Sequence, residues 1–417
     1  MSITRNLTTV DQAFFQPLNG LAAASPHARP CPDFSDEDCI CLGVQRVLET
    51  SASGRGFLQE HGVRFENTPG LSNYFAALNS PRRRDVIRDV NLALLFAANT
   101  TLHDRLADIP ELANYECFAQ DGHWHKAAAH DPRHKGTKMA VGHFYSLNLR
   151  THTLRHLAAA EGLHEHDMSA LKRVKPQGLR QDVPKGKRVL NIYDKAGIDF
   201  DYWKRCRQEC AVYFLSRVKE NMVFDCIKSV PWDASDARNH GVTEDRRVRT
   251  REGHLLRIVY YTDPQTGAVY EFLTNELDLP AGVIVELYRR RWEAEKVFDE
   301  IKNKLGEKKA WATSLVAKEA QAQLVAITHN LLLTYEQTLE TEHGVTNQAE
   351  DQRRAKRTKA AAKKCAAAGQ LLSTLVLQAR RATQRSVKFV RWVRQSIRDQ
   401  AAEAAAVLRL KVLYATL

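Results

Sequence analysis

The pattern of apolar and polar positions divides the 417-residue chain into regions that predict different secondary structure. Residues 1–112 place apolar side chains at helical spacing, and Ser35, which acidic residues follow, is typical of a helix start. From residue 113, short runs rich in Val, Leu, Ile, Tyr and Phe indicate strands, and helical patterns lie between them. Strands interleaved with helices predict an α/β layer in the middle of the chain.

Four runs in this middle region are predicted to be strands. ANYECFAQDG is short, and VGHFYSLNLRTHTLRHL alternates as a single half-buried strand should. KRVLNIYD and CAVYFLSRVK are dense in apolar residues, which suits strands buried on both faces. Further along, HLLRIVYYTDPQTGAVYEFLTN predicts a hairpin around DPQTG, inside a β-rich insertion.

The segment LDLPAGVIVELYRRRWEAEKVFDEIKNKLG predicts one continuous helix. Asp278 is a suitable cap, Pro280 suits the first turn, and Gly306 is a natural stop. At about 100° per residue, four polar side chains fall within an arc of about 60° beside the apolar stripe. These four are Tyr288, Arg291, Glu295 and Lys302.

That column combines a phenol, a guanidinium, a carboxylate and an ammonium group. Three of these groups donate to phosphate oxygens, and the carboxylate is a hard ligand for metal ions. A solvated helix face with spaced ion pairs is the alternative explanation of the same composition. A functional role therefore requires acidic partners elsewhere in the chain.

Two aspartates stand where an α/β sheet would supply such partners. Asp194 ends VLNIYD, at the carboxyl end of a predicted buried strand, although a turn or helix cap is the alternative. Asp121 follows YECFAQ, where an Asp-Gly turn is the alternative and Asp131 is a rival. With Glu295 they form a set of three carboxylates, which predicts a magnesium site. Two such ions about 3.5–4 Å apart would support an in-line phosphoryl displacement.

The distribution of charge and apolar residues narrows the class of protein. Residues 351–400 contain 14 Lys or Arg and 2 Asp or Glu, so they carry the whole net charge of +12. Such a concentration indicates a polyanionic partner, and a solvated basic arm is the alternative. No run of 18 apolar residues and no secretory pattern is present, so we expect a cytoplasmic protein without a membrane span.

Cysteine and histidine do not predict a metal site of their own. The eight cysteines are scattered and form no pair of CxxC units, which argues against structural zinc. His123 and His125 alternate behind Asp121, but no third ligand follows at a supporting spacing. Polar side chains beside a turn are the preferred interpretation of both histidines.

The segments FAQDGHW and LNIYDKAGIDF and the spacing of the column resemble the DDE transposases of the insertion-sequence-four family. That family carries a tyrosine–arginine–glutamate–lysine signature, Y-x2-R-x3-E-x6-K, and this helix fits every position. The resemblance covers roughly residues 113–310. It implies an α/β fold with a ribonuclease-H-like catalytic core and a β-rich insertion, flanked by helical N- and C-terminal regions.

The resemblance also implies roles for single residues. The catalytic and metal-binding residues would be Asp121, Asp194 and Glu295, which would hold two Mg²⁺ or Mn²⁺ ions, and the DNA contacts would be Tyr288, Arg291 and Lys302. Family members often place an aromatic residue of the insertion beside a flipped base, and Trp232 is a candidate.

Five regions are expected along the chain. They are a helical DNA-binding domain in 1–112, the two parts of the catalytic core in 113–220 and 276–320, the insertion in 221–275, and a basic C-terminal region for dimerisation and DNA contact in 321–417. Simple helical packing is the alternative for the N-terminal region.

The implied function is cut-and-paste transposition, in which the enzyme cleaves transposon ends and transfers the strands into target DNA. The implied partners are double-stranded DNA, both terminal inverted repeats and target, and a second copy of the chain in a synaptic complex. The implied location is a bacterial-type cytoplasm, in association with the nucleoid. Two alternatives stay open: a non-catalytic or domesticated DNA-binding protein, and a ribonuclease-H-like DNA nuclease that does not transpose.

Overall fold

A computed structural model shows a nine-stranded mixed sheet with helices on both faces and helical regions before and after it. The predicted fold class is confirmed. The structure describes residues 8–49, 53–65, 67–125, 141–160, 165, 167–195, 197–264, 266–305, 310–369 and 385–415. Asp131, Gly306 and the side chain of His125 lie outside what is described.

The strands are β1 (Tyr115–His125), β2 (Val141–Asn148), β3 (Leu154–Ala159), β4 (Arg188–Ile192), β5 (Val212–Arg217), β6 (Asp225–Ser229), β7 (Val242–Arg249), β8 (Leu255–Thr262) and β9 (Val269–Thr274). The helices are α1 (Val10–Phe15), α2 (Leu21–Ala24), α3 (Asp36–Leu48), α4 (Gly54–Arg64), α5 (Leu71–Leu78), α6 (Pro81–Thr101), α7 (Asp167–Arg173), α8 (Pro176–Arg180), α9 (Phe200–Cys210), α10 (Ala281–Arg290), α11 (Trp292–Asn303), α12 (Leu315–His343), α13 (Gln348–Ala367), α14 (Val387–Arg398) and α15 (Glu403–Ala415). Short 3₁₀ turns occur at Gln16–Leu18, Pro110–Leu112 and Ala237–Asn239.

The strand order in the sheet is β3-β2-β1-β4-β5-β9-β8-β7-β6. Strands β1, β4 and β5 run parallel to one another, whereas β2 and β3 continue the sheet from β1 in antiparallel fashion. The parallel strands are joined by helical connections, and their carboxyl ends therefore meet at one edge. The insertion does not form a separate sheet, because β9 pairs with β5 and extends the same sheet.

Two hydrophobic cores lie on opposite faces of this sheet. Alternate residues of β1 and β4, such as Ala119 and Ile192, belong to the larger core, which α10, α11, α12 and the N- and C-terminal helices share. The intervening residues, such as Phe118 and Val189, pack with α7, α8 and α9. Because strand side chains alternate between faces, the face of each strand-end residue follows from this register.

The predicted single strand over residues 141–157 is wrong, because the structure divides it into β2 and β3. The Asn148 side-chain oxygen accepts from the backbone N–H of Arg150 at 2.7 Å, which forms a local turn. His152 completes that turn with a φ of 61°, in the left-handed region. The alternating pattern continued through the turn and concealed it.

The predicted continuous helix in residues 277–306 is also divided, into α10 and α11, and Pro280 rather than Asp278 is the N-cap of α10. At the break, the N–H of Arg291 donates to the carbonyl of Tyr288 at 3.1 Å, and the N–H of Ala294 donates to that of Arg291 at 3.0 Å. These are i to i−3 bonds, so the helix tightens there by one turn of 3₁₀ type.

The start of α10 is fixed against the insertion by a close backbone approach. A Cβ on Gly282 would lie 2.3 Å from the carbonyl oxygen of Arg238, so only glycine fits. Inside the insertion, Arg257 and Asp245 form a fully buried ion pair, with Nε to Oδ1 at 2.8 Å. Arg257 also donates through Nη1 to the carbonyl of Leu279, just before α10.

The helices of the described ranges include none that is long and apolar enough to cross a membrane.

Candidate active site

Asp121 and Asp194 occupy equivalent positions on neighbouring strands. Ala119 on β1 pairs in parallel register with Ile192 on β4, and each aspartate lies two residues further along its strand direction. Both aspartates therefore point to the face of the larger core, where α11 packs against β1. Asp121 still lies within β1, whereas Asp194 lies in the loop after β4, two residues beyond the end of the strand.

The backbone of Asp194 is held in place by its surroundings. Its carbonyl oxygen accepts from the hydroxyl of Ser216 on β5 at 2.7 Å and from the N–H of Gly197 at 3.2 Å. These bonds hold the start of the β4 loop against the next parallel strand. The predicted position of Asp194, at the carboxyl end of a buried strand, is what the structure has.

Arg291 links a strand-end aspartate to the glutamate of α11. Its Nη1 lies 2.9 Å from Oδ2 of Asp121, and its Nη2 lies 2.8 Å from Oε1 of Glu295. The arginine side chain is only 8% exposed, against 20% for Asp121 and 37% for Glu295. One buried guanidinium therefore neutralises carboxylates that are 174 residues apart in sequence.

The pKa of Asp121 reflects mainly how deeply this carboxylate is buried. Burial raises the pKa of Asp121 to about 6; Arg291 opposes the rise, and the charges of Asp194 and Glu295 add to it. The carboxylates of Asp194 and Glu295 are consequently both within electrostatic range of Asp121. For Arg291, burial would lower the pKa, but Asp121, Tyr288 and Glu295 outweigh burial and raise it.

Tyr288 lies at the same site with its ring in the core. The ring packs on Phe272, with 4.8 Å between centroids, and the residue is 7% exposed. Burial raises the pKa of Tyr288; the charges of Arg291 and Arg217 oppose this, and that of Asp194 adds to it. The phenol is therefore within reach of one acidic and two basic groups of the site.

Lys302 and Trp232 differ from Tyr288 in their surroundings. Lys302 is exposed on α11, two turns beyond Glu295, so its ammonium group faces solvent. Trp232 is half-buried and packs against the larger core. His123 is buried, and its ring packs near Phe298 at 5.4 Å between centroids.

Two residues of the site were missed in the sequence. Arg217 is the last residue of β5, and its guanidinium carbon lies 5.0 Å from the centroid of Tyr270. Its position at the end of an apolar run was the available signal. Trp292 follows Arg291, is 54% exposed, and has its ring centroid 5.6 Å from the guanidinium carbon of Arg291. An exposed tryptophan beside a buried arginine cannot be recognised from spacing alone.

The carboxylate oxygens of Asp121, Asp194 and Glu295 are donors that suit a hard divalent ion. In the structure, however, the positive charge beside Asp121 and Glu295 is that of Arg291. Within the part of the chain that the structure describes, no three Asp, Glu, His or Cys side chains are arranged to hold a metal ion. The Arg291 guanidinium bonds to Asp121 and Glu295 and supplies the positive charge that these carboxylates require. Burial is the main cause of the raised pKa of Asp121, and the guanidinium of Arg291 offsets only part of it.

Comparison with known proteins gives an independent result for the same region. A search of curated proteins found no match. Residues 120–331 match the protein family described as Transposase DDE domain, a range that includes Asp121, Asp194 and Glu295. Because this range spans half of the 417 residues, the chain belongs to the DDE transposase family.

Proposed function

We propose that this transposase works by cut and paste: it cleaves DNA at transposon ends and transfers the freed 3′ ends into target DNA. Asp121, Asp194 and Glu295 are its catalytic residues and hold two divalent ions, Mg²⁺ or Mn²⁺. One observation carries the proposal, namely that Arg291 bonds to Asp121 of β1 and to Glu295 of α11, while the charge of Asp194, just after β4, acts on Asp121. When bound, the ions supply an activated water and stabilise charge on the scissile phosphate.

The tyrosine–arginine–glutamate–lysine spacing supports assignment to the insertion-sequence-four group within the family. Under this assignment Tyr288, Arg291 and Lys302 contact the transposon end. Lys302 is exposed and ready to pair with a backbone phosphate. Arg291 lies beside Trp292, which is exposed to solvent, and a cleaved strand would pass there.

Arg291 also has a role in metal binding in this proposal, because its guanidinium cannot bind the two carboxylates and a DNA phosphate at the same time. Its Nη1 and Nη2 are engaged by Asp121 and Glu295. A phosphate is a competing bidentate acceptor for a guanidinium. Movement of Arg291 towards DNA would leave the carboxylates without a positive charge and would favour the binding of divalent ions. The ions would then bind fully only when DNA is present.

The remaining regions are assigned by their charge. Helix α13 is exposed along most of its length and rich in Lys and Arg, and with α14 it forms the DNA-contacting part of residues 321–417. The N-terminal helices in 1–112 would read the inverted repeats. Arg82 and Arg83 of α6 are both paired with Asp36, so recognition would rely on other side chains of this region.

Assembly and location follow the same proposal. Residues 113–220 and 276–320 form the catalytic core, and 221–275 form the insertion that completes its sheet. Cutting two ends together requires two active sites, so the active form is a homodimer in a synaptic complex. The enzyme would act on DNA in a bacterial-type cytoplasm, at the nucleoid.

The test uses DNA that carries the inverted repeats flanking the gene, with Mg²⁺, and compares the wild type with Glu295→Gln. We expect both proteins to bind this DNA and only the wild type to cleave and join it. Asp225→Asn, at an exposed aspartate of β6, is the matched control and should behave as the wild type. Equal cleavage by Glu295→Gln would remove Glu295 from the mechanism. Cleavage without joining would favour a nuclease, and binding without cleavage would favour a non-catalytic protein.

A further inference from the structure

The face of α11 opposite Glu295 carries two buried glutamates. At about 100° per residue, Glu293 and Glu300 lie about 20° apart, whereas Glu295 lies about 140–160° away from them. Glu293 is 4% exposed and Glu300 is 3% exposed. Buried carboxylates are costly unless they are paired, so their partners determine how this helix is held.

Glu293 is paired with the turn between β2 and β3. It accepts a short hydrogen bond from Nε2 of His152, the residue with the left-handed backbone conformation. Burial would raise the pKa of Glu293, but the bond with His152 and the charges of Arg290 and Lys296 lower it; burial lowers the pKa of His152 as well. The N-terminal turn of α11 is thereby attached to the sheet at its rear.

Glu300 is paired with two elements at once. Its Oε1 lies 3.1 Å from Nδ1 of His329 on α12, and His329 donates through Nε2 to the carbonyl of His152 at 2.9 Å. Arg385, just before α14, donates through Nη1 to Glu300 and through Nε to Glu336, the latter at 3.1 Å. Burial would raise the pKa of Glu300, but Arg385 and His329 lower it to about 2.

The C-terminal segment also holds the end of α11. Nζ of Lys304 donates to the carbonyl of Arg385 at 2.6 Å, and Nη2 of Arg394 donates to the carbonyl of Lys304 at 2.9 Å. Arg394 thus satisfies a carbonyl that the helix leaves unpaired and places a cation at the negative end of the helix dipole.

Packing alone does not fix this side of the helix. A cavity of about 370 Å³ borders it and is lined by Glu293, Glu300, His329 and Arg385 among others. A helix beside an open cavity lacks the van der Waals contacts that would otherwise set its position. The apolar stripe of α11 packs in the larger core, and on the side of the cavity the charged hydrogen bonds add the contacts that orient the helix.

We propose that Arg385 is a positioning residue for catalysis: through Glu300 and Lys304 it orients α11, and so it places Glu295 against Asp121 and Asp194. The inference rests on the proposed function, because it assumes that Glu295 is catalytic. Under this proposal the C-terminal segment that contains Arg385 helps to hold the active site in place, independently of any contact that this segment makes with DNA. Arg385 itself touches neither substrate nor ions, since it lies on the rear face of α11.

The experiment compares Arg385→Met, Arg385→Lys and the wild type, with Arg205→Met as control at an exposed arginine of α9. A displacement of a catalytic group by about 1 Å can reduce a rate about 100-fold, so we expect a 10- to 100-fold loss of cleavage in Arg385→Met. The concentration of Mg²⁺ for half-maximal cleavage should rise several-fold, and Arg385→Lys should recover part of both losses.

Hydrogen exchange supplies a reading that does not depend on cleavage. Amides of residues 292–303 should exchange faster in Arg385→Met without DNA or metal, while those of β4 and β5 stay protected. The rise in melting temperature on adding Mn²⁺ should also be smaller in this variant. Unchanged exchange in α11 together with wild-type Mg²⁺ dependence would overturn the inference. A loss of rate that only follows the unfolded fraction, with normal Mg²⁺ dependence, would overturn it as well.

Two further variants keep the test decisive. If Arg385→Met does not fold, Glu336→Gln can replace it, because this variant keeps the contact of Arg385 with Glu300 but weakens the contact with residue 336. Cleavage, Mg²⁺ dependence and hydrogen exchange in α11 should then change in the same direction, by smaller amounts. Glu295→Gln separates the two proposals. If Glu295→Gln cleaves like the wild type, the proposed function fails; if it is inactive and Arg385→Met behaves like the wild type, only the positioning role fails.

Discussion

Replacing Asp121 with asparagine should stabilise the fold while it abolishes cleavage. Asparagine keeps the shape of the side chain and an oxygen for Arg291, but it removes one of three crowded negative charges. The pKa of Asp121 rises from 3.8 to about 6 on folding, and such a difference corresponds to about 3 kcal/mol against the ionised form. At pH 7.5, where Asp121 is ionised, Asp121→Asn should gain about 2–3 kcal/mol in the free energy of unfolding.

The sign of the effect fixes its dependence on pH. The folded protein holds the Asp121 proton more tightly than the unfolded chain, so ionisation lowers stability as pH rises from 3.8 to about 6. The stability difference between variant and wild type should therefore be near zero at pH 3.8 or below and complete above pH 6. Below that window both side chains are neutral and make similar contacts.

The assay is unfolding by heat and by urea at several pH values, without divalent ions. For a chain of this length, 2–3 kcal/mol corresponds to a rise in melting temperature of about 2–3 °C. Asp225→Asn, at an exposed position, should change stability by less than about 0.5 kcal/mol. A variant no more stable than the wild type at pH 7.5, or a gain that does not change with pH, would refute the reasoning. Added Mn²⁺ should stabilise only the wild type.

Three other predictions concern Arg291, the insertion and the basic helix. Arg291→Ala should lower the melting temperature without metal but increase the stabilisation by Mn²⁺, because the carboxylates lose their internal cation; a smaller Mn²⁺ effect would contradict this in a thermal-shift assay. Asp245→Ala should cost about 3–5 kcal/mol in urea unfolding, because it leaves buried Arg257 unpaired, and a loss below 1 kcal/mol would be too small for that reason. In α13, Lys356→Gln and Lys363→Gln should each reduce the slope of log binding constant against log salt by about 0.9, and unchanged slopes would exclude these phosphate contacts.

Local patterns were sufficient for most elements of the fold. Ser35 caps α3 through a capping box, as its acidic neighbours indicate, and Pro81 occupies the first turn of α6. The hairpin around DPQTG forms from β8 and β9, with Arg257 opposite Thr274 and Thr262 opposite Val269. These features depend on residues close in sequence, so a single sequence is enough to find them.

The features that sequence did not predict depend on residues distant in the chain. The break at Arg291 lies inside a continuous helical pattern, and the same arginine bonds to Asp121, 170 residues earlier. The pairing of β9 with β5 joins the insertion to the core sheet, and no local pattern encodes it. Likewise, Glu300 and Arg385 are 85 residues apart, and nothing in the sequence around either residue indicates that the two are paired.

Helix α11 therefore has one face on which carboxylates are insufficiently neutralised and one face on which they are fully paired. Asp121 beside Glu295 has a raised pKa, whereas that of Glu300 is lowered to about 2 from 4.5. Ionised Glu300 stabilises the fold above pH 4.5, and this contribution is lost as pH falls towards 2. Between pH 7 and 4.5, Asp121 becomes protonated while Glu300 stays ionised, so stability increases. The melting temperature should therefore rise and then fall as acid is added. A monotonic fall from pH 7 would show that protonation of Asp121 does not stabilise the fold. The two faces of α11 are linked in this way. The site is unstable without bound cations, and Glu295 keeps its place in the site only if the pairing on the rear face holds the helix.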